Sequence, residues 1–225
     1  KQFISDSRDR IFILKGYAGT GKTTLLSFLS QYLDSVSVRY QLLAPTGRAA
    51  KVMKDHTQHE ASTIHHMLYS FDGLNKDLSE VNDTTDADKT GQLLLQFEPI
   101  QTDGKNPCVY VVDEASMVSD VESKIVVQAK FGTGRLLTEL FQYDSHPQSK
   151  FIFVGDPCQL PPIDGAFSPA LDENYIKTNF NYGVQTVELT EIMRQQGGND
   201  IISVSSLLRE GWQRAPVSAD TYFRQ

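Results

Sequence analysis

A complete phosphate-binding pattern stands near the start of the sequence, in the stretch GYAGTGKTT at positions 16–24. Glycines in such a loop let backbone N–H groups turn inward around phosphate oxygens. Lys22 would reach the β- and γ-phosphates, and the Thr23 hydroxyl would occupy one Mg²⁺ position. The residues predicted to bind the nucleotide are Gly16, Ala18, Gly19, Thr20, Gly21, Lys22, Thr23 and Thr24.

Two adjacent carboxylates, Asp113 and Glu114, follow four apolar residues in the stretch VYVVDEAS at positions 109–116. An open α/β sheet places its ligand where such a strand ends. Asp113 is predicted to hold Mg²⁺ through water, and Glu114 to orient and deprotonate an attacking water. An ordinary turn at the end of a strand is the alternative, but the phosphate-binding pattern upstream favours hydrolysis.

Two later stretches bear on what the nucleotide is used for. In VGDPCQLPPI, positions 154–163, a turn with Asp156 and Pro157 leads to Gln159, whose amide can sense a γ-phosphate. In LTEIMRQ, positions 189–195, Arg194 can offset negative charge in a transition state. Taken singly, Gln159 would fit an ordinary turn and Arg194 a surface arginine.

These residues need a scaffold, and the apolar runs supply one. Strands are predicted over 10–16, 40–46, 108–114 and 150–156, with a fifth inside 185–195. Apolar residues at helical spacing lie between them, so the prediction is an α/β fold with a mostly parallel sheet. Helices are predicted after the phosphate-binding pattern, with Leu25, Phe28, Leu29, Tyr32 and Leu33 at helical spacing, and over 49–53. Four more are predicted: one within 61–70 capped by Ser62, one after the carboxylate pair with Met117, Val118, Val121 and Ile125 on one face, one around 136–141, and one over 200–210.

Residues 71–107 differ from their surroundings because they are polar, acidic and weakly periodic until the run QLLLQFEPI, which predicts a further strand. We interpret them as a small surface insertion. The predicted domains are therefore an ATPase domain formed by 1–70 and 108–225 and an inserted segment over 71–107.

The composition excludes several classes of protein. No apolar run is long enough to span a bilayer, the first residues do not resemble a signal peptide, and a cytoplasmic protein with no membrane partner is expected. The two cysteines lack metal-ligand spacing. Because the net charge is -7, any nucleic-acid contact is expected in a confined groove or is shared with other parts of the protein.

Together the stretches GYAGTGKTT, APTGRAAKVM, ASTIHHML, VVDEASMV, VGDPCQLPPI and LTEIMRQ resemble, in order and approximate spacing, the RecD-like superfamily 1 DNA helicases. The resemblance covers residues 10 to about 212. It implies a RecA-like P-loop fold with helices on both faces of the sheet. It also implies Mg²⁺-dependent ATP hydrolysis and 5′-to-3′ movement on single-stranded DNA, with Glu114 as general base, Gln159 as coupling residue and Arg194 as arginine finger.

The same resemblance implies DNA contacts and partners. The stretch at 45–48 would lie along single-stranded DNA, and Thr63 and His65 are weaker candidates, since they could merely cap a helix and pack. The inserted segment would act as a wedge at duplex junctions, and recombination or repair proteins are further expected partners. The predicted DNA-binding residues are Pro45, Thr46, Gly47, Arg48, Thr63 and His65.

The sequence also departs from the family. Such helicases use two RecA-like domains, and the later motifs do not occur in these 225 residues. At Met193 some relatives carry an aromatic residue that packs on adenine. We expect the first motor domain of a larger helicase, with a C-terminal motor domain as its partner. The alternatives are a P-loop ATPase or kinase of another class and a nucleotide-dependent DNA-binding module that does not translocate.

Overall fold

A computed structural model of the chain describes residues 2–6, 8–69, 95–122, 129–163 and 165–191. Six parallel strands form the central sheet, and two short parallel strands form a second sheet. In chain order the strands are β1 (Asp9–Gly16), β2 (Tyr40–Ala44), β3 (Ala61–Thr63), β4 (Leu95–Phe97), β5 (Val109–Val112), β6 (Ala129–Phe131), β7 (Lys150–Gly155) and β8 (Gly183–Leu189). The central sheet has the order β3-β2-β5-β7-β1-β8.

Helices connect the strands. They are α1 (Gln2–Ser5), α2 (Lys22–Ser35), α3 (Gly47–Thr57), α4 (Ile64–Leu68), α5 (Leu136–Tyr143) and α6 (Glu173–Phe180), with 3₁₀ turns at Ala115–Met117 and Pro169–Leu171. None of the helices in the described ranges is long and apolar enough to cross a membrane.

The apolar strands are buried on both faces of the sheet, as in parallel sheets generally. Along β7, Phe151 and Phe153 point into one core cluster, whereas Ile152 and Val154 point into the other. Residues of α4, α5 and α6 cover the first face, and residues of α1, α2 and α3 cover the second. The polar side chains of a site must therefore lie at the ends of the strands, where the loops begin.

The five predicted strands are confirmed, and the parallel α/β fold with them. The sequence reading missed β3, which pairs with β2 from Leu42↔Ala61 to Ala44↔Thr63. It was also wrong about the helix cap that follows. The strand continues through Ser62, and the Thr63 hydroxyl accepts the N–H of His66 at 3.0 Å. Helices α1 and α6 were not predicted.

The helix predicted after the carboxylate pair is wrong over residues 118–122. After one 3₁₀ turn the chain is not helical, and the side chain of Asp120 instead accepts hydrogen bonds from the first turn of α5. The buried Asp120 accepts the N–H and the hydroxyl of Thr138 at 2.9 and 2.6 Å, which caps the first turn of α5 from outside. Tyr175 and Arg135 donate to the other Asp120 oxygen at 2.6 and 3.3 Å.

The second sheet joins the end of the predicted insertion to the main domain. The strand predicted in QLLLQFEPI is confirmed as β4, which pairs with β6. The Phe97 and Phe131 rings stack 4.8 Å apart. Behind them the buried Glu139 accepts hydrogen bonds from Thr133 N at 2.6 Å and from the Tyr69 hydroxyl. The predicted helix over 200–210, Arg194, Met193 and residues 71–94 lie outside the described residues.

Candidate nucleotide and nucleic-acid site

Three loops with predicted chemistry emerge from three adjacent strands. β7 pairs with β1 on one side and with β5 on the other, with Lys15↔Gly155 and Val112↔Phe153 among the aligned residues. We call the predicted phosphate-binding stretch at 16–24 the phosphate loop. Because all three strands are parallel, the phosphate loop, the carboxylate pair and the loop that begins at Asp156 lie at the same edge of the sheet. The sequence could not reveal this strand order.

The phosphate loop needs glycine at several positions, among them Gly21 and Gly16. Gly21 has φ +87° and stands directly before α2, a left-handed conformation that costs glycine little. At Gly16 a Cβ atom would lie 2.6 Å from the Thr20 hydroxyl and 3.1 Å from the Leu189 side chain. The loop therefore turns tightly between β1 and α2.

Side chains within the loop brace its backbone. The Lys22 ammonium donates to the carbonyl oxygens of Gly16 and Tyr17 at 2.6 and 2.9 Å. The buried Thr20 hydroxyl donates to the Tyr17 carbonyl at 2.8 Å. Lys22 is thus held across the mouth of the loop. Among the other predicted binding residues, Gly19 and Thr23 are half-buried, whereas Ala18 and Thr24 are exposed.

Asp113 sits at the end of β5 and is almost fully enclosed, with 8% of its surface exposed. Its N–H donates to the Leu43 carbonyl at 2.9 Å, which fixes it to the neighbouring strand. Burial raises the pKa of Asp113 to about 6, and the Glu114 charge adds to this. The Glu114 N–H and the Lys22 ammonium lower the pKa but do not cancel the effect of burial.

Glu114 has an unusual backbone conformation, with φ +52° and ψ +38°. A non-glycine residue in the left-handed region costs energy, and such residues concentrate at functional sites. One Glu114 carboxylate oxygen, Oε2, is buried without a hydrogen-bond partner in the described part of the chain, and so is the Ser116 hydroxyl. In the turn after β5, the side chains of Glu114 and Ser116 can therefore each form a further hydrogen bond.

The sequence reading missed the role of Asp156, which it noted only as part of a turn. The side chain is 1% exposed, and its Oδ2 accepts the N–H of Ala18 at 3.1 Å. Gln159, the predicted sensing residue, lies three residues further on in an exposed loop, and its N–H donates to the Asp156 carbonyl at 3.1 Å. A buried acid directly after a strand and three residues before Gln159 was the available signal.

The predicted DNA-binding residues lie at or just after the ends of the next two strands of the same sheet, β2 and β3. Pro45 follows β2, and the Thr46 hydroxyl accepts the N–H of Ala49 at 3.2 Å as the cap of α3. Thr46, Gly47 and Arg48 are exposed. Thr63 ends β3 and caps α4, so one of the two roles considered for it is confirmed.

His65 lies on the first turn of α4 against aromatic rings. Its ring centre is 5.7 Å from those of Tyr69 and of Phe131. Loss of contact with water lowers the pKa of His65, so its ring is neutral near pH 7. His65 thus packs against two aromatic rings while the residue as a whole remains exposed, and its role towards DNA stays a prediction.

The structure thus brings the phosphate loop, Asp113, Glu114 and the start of the Gln159 loop to one edge of the sheet, with the candidate DNA segments at the ends of β2 and β3 beside them. Arg194 lies outside the described residues. β8, which leads towards it, ends at Leu189, and this residue is aligned with Gly16 of the phosphate loop.

Several known proteins are similar to this chain. The sequence model of the family described as AAA domain matches residues 2–222. The chain is 27% identical over 212 residues to the ATP-dependent RecD2 DNA helicase of Deinococcus radiodurans, covering 94% of this chain and 23% of that protein. It is 28% identical over 201 residues to the ATP-dependent DNA helicase dda of Enterobacteria phage T4, covering 88% of this chain and 37% of that protein.

The fold is also that of a solved helicase. The crystal structure of Pif1 helicase from Candida albicans matches with a TM-score of 0.54 at 22% identity, over 98% of this chain and 43% of that one. The chain thus spans well under half the length of each of these three relatives. It belongs to the AAA domain family, and it is similar to helicases in sequence and in its RecA-like fold.

Proposed function

We propose that this domain binds and hydrolyses ATP and couples hydrolysis to 5′-to-3′ movement on single-stranded DNA and to unwinding of duplex junctions. One observation carries the proposal. The phosphate loop, the carboxylate pair and the Gln159 loop follow adjacent strands β1, β5 and β7, and the segments suited to DNA follow β2 and β3 of the same sheet. The carboxylate pair that follows β5 is therefore only one or two strands away from the segments suited to DNA.

ATP binding would begin with the phosphates at the loop before α2. The backbone N–H groups at the start of this 14-residue helix have no intrahelical acceptors, and they favour an anionic ligand. Phosphate oxygens would replace the Gly16 and Tyr17 carbonyls as acceptors for the Lys22 ammonium. A charged acceptor makes the stronger hydrogen bond, so this exchange favours binding.

The residues present fit a magnesium ion. Asp113 is a hard oxygen donor whose charge is disfavoured by burial, so a cation beside it would relieve that cost. No group of three or more His, Cys, Asp or Glu side chains suited to a metal occurs among the described residues. Mg²⁺ that binds together with a nucleotide takes one or two protein ligands, and phosphate oxygens supply further ligands. Thr23 and Asp113 would hold it, and the bound ion would neutralise phosphate charge.

Glu114 would take the proton of the attacking water. Its buried Oε2 lacks a hydrogen-bond partner in the described residues, so it is available to accept from a water in line with the γ-phosphate. Gln159 would contact the same phosphate, and Arg194 would stabilise negative charge as hydrolysis proceeds. Each of these groups would act on the substrate directly.

Single-stranded DNA would cross the ends of β2 and β3. The amino end of α3 presents exposed backbone and the exposed Arg48, and Lys51 lies one turn further on, also exposed. Neither cation forms an ion pair with another described residue, so both are available to phosphates. Because the chain carries a net charge of -7, this contact would be local.

Movement along DNA requires a second grip, so the domain would work with a second RecA-like motor domain that closes on it when ATP binds. That requirement agrees with the small share of the helicase relatives that this chain spans. Residues 71–107 would form the wedge at the junction. Recombination or repair proteins would be partners of such a cytoplasmic RecD-like enzyme.

Replacing Lys22 tests nucleotide binding in this chain alone. We expect Lys22→Ala to weaken binding of a Mg²⁺–ATP analogue roughly 10- to 100-fold, since one charge-assisted hydrogen bond is lost. Isothermal titration measures the change, and thermal melting checks the fold. The matched control, Lys54→Ala, removes a lysine paired with Glu60 on the outside of α3 and should bind normally. Equal affinity of Lys22→Ala and the control would contradict the assignment.

The Glu114→Gln variant tests hydrolysis, within the longer protein that the proposal requires. The amide has the shape of the acid but cannot take a proton, so turnover with single-stranded DNA should fall about 10²- to 10⁴-fold while ATP still binds. Glu122→Gln makes the same change at an exposed position in the same segment and should leave turnover intact. Near-normal single-turnover hydrolysis by Glu114→Gln would show that Glu114 does not take the proton of the attacking water.

The direction of movement is tested with duplexes that carry a single-stranded tail at one end only. The longer protein should unwind a duplex with a 5′ tail in an ATP-dependent manner and should be inactive on a 3′ tail. A fluorophore and quencher on opposite strands report separation. Unwinding from the 3′ tail alone would exclude the proposed polarity, while leaving the ATPase assignment to the experiments above.

A further inference from the structure

One buried carboxylate connects two loops of the site. Asp156 follows β7, and its two oxygens accept from different segments: Oδ2 from the Ala18 N–H of the phosphate loop at 3.1 Å, and Oδ1 from the Cys158 N–H at 2.9 Å. The side chain is only 1% exposed. No lysine or arginine in the described part of the chain forms an ion pair with Asp156, so these backbone donors carry its hydrogen bonding.

The loop beyond Asp156 is mostly exposed, although Pro162 within it is buried. Residues 157–161 are exposed, with Leu160 at 80%, and Ile163 is 95% exposed. By contrast, Asp156 is fixed at both of its ends: its backbone continues the buried strand β7, and its carboxylate holds the phosphate loop. A shift of Ala18 therefore pulls on the same carboxylate that positions Cys158, the residue next to Gln159.

We propose that Asp156 is a positioning residue that transmits rearrangement of the phosphate loop, when nucleotide binds, to the loop 157–163 that carries Gln159. This inference rests on the proposed function insofar as it requires nucleotide to bind at the phosphate loop. Asp156 does not contact the reacting atoms in this account. It acts through Ala18 on one side and through Cys158 and Gln159 on the other.

The chemistry requires a carboxylate at this position. Both Asp156 oxygens accept hydrogen bonds, whereas an asparagine has one acceptor oxygen and one NH₂ group. Asp156→Asn has nearly the same shape, yet in either orientation its NH₂ group faces one of the two N–H donors. The variant therefore breaks the bridge at one end with the least possible change in packing.

Cys158 offers a direct readout. Its side chain is exposed, whereas Cys108, the other cysteine of the chain, is buried. An environment-sensitive fluorophore attached to Cys158 will report on the loop beside Gln159. In the unmodified sequence, saturation with Mg²⁺ and a non-hydrolysable ATP analogue should change its emission. In Asp156→Asn, the change at saturation should be at least fivefold smaller, although titration calorimetry still shows the analogue bound.

A second buried aspartate provides the control. Asp144 is also 1% exposed and accepts a backbone N–H, that of His146, at 2.8 Å, but it lies before β7 rather than after it. Asp144→Asn should lower the melting temperature and keep the full emission change. A merely structural role for Asp156 would make the two variants behave alike, so loss of signal in Asp156→Asn alone supports transmission.

The outcomes separate this inference from the proposed function. A full emission change in Asp156→Asn at saturation overturns the inference, and so does bound analogue without any emission change in the unmodified sequence. Absence of analogue binding by the unmodified sequence overturns the proposed function and the inference together. If Asp156→Asn does not fold, hydrogen exchange of the unmodified chain decides: protection of 157–163 on binding supports the inference, and unchanged exchange refutes it.

Discussion

The site depends on a carboxyl group that the fold buries at the end of a strand. β5 runs through the centre of the sheet with both faces covered, so Asp113 leaves an apolar layer with 8% of its surface exposed. Its pKa of about 6 means that the folded chain ionises this group with difficulty. The left-handed turn at Glu114 adds backbone strain next to it. A cation beside such a carboxylate would favour its charged form. The phosphate loop that would bring the cation's other ligands follows β1, two strands away.

Strand order converts separate sequence stretches into one surface. Each motif follows a strand, and parallel strands deliver their following loops to one edge of the sheet. The segments proposed to bind nucleotide follow β5, β7 and β1 in the middle of that edge, and the segments proposed for DNA follow β2 and β3. The Asp113 N–H donates to the Leu43 carbonyl of β2, so the carboxylate pair and the DNA side also share a direct backbone hydrogen bond.

Local patterns predicted the parts whose cause is local. The strands β1, β5 and β7 could be predicted from their apolar runs. The tight turn after β1 could be predicted from Gly16 and Gly21. What could not be predicted depends on partners distant in the chain. β3 has only three residues and exists because it pairs with β2. Asp120 prevents the predicted helix by capping α5, and Asp156 reaches back 138 residues to Ala18.

Burial of the Asp113 carboxylate costs the folded chain stability, and the proposed Mg²⁺ would offset that cost. A carboxyl whose pKa is raised from 3.8 to about 6 destabilises the folded chain above pH 6, and this cost fades as the pH falls towards 4. Its size is on the order of 2–3 kcal/mol.

Thermal melting of Asp113→Asn against the unmodified chain is the most direct measurement. Without nucleotide at pH 7.5 the variant should melt at a higher temperature, and the difference should disappear near pH 4. Saturating Mg²⁺ and ATP analogue should stabilise the unmodified chain more than the variant. A variant that melts lower at pH 7.5 without nucleotide would contradict the account.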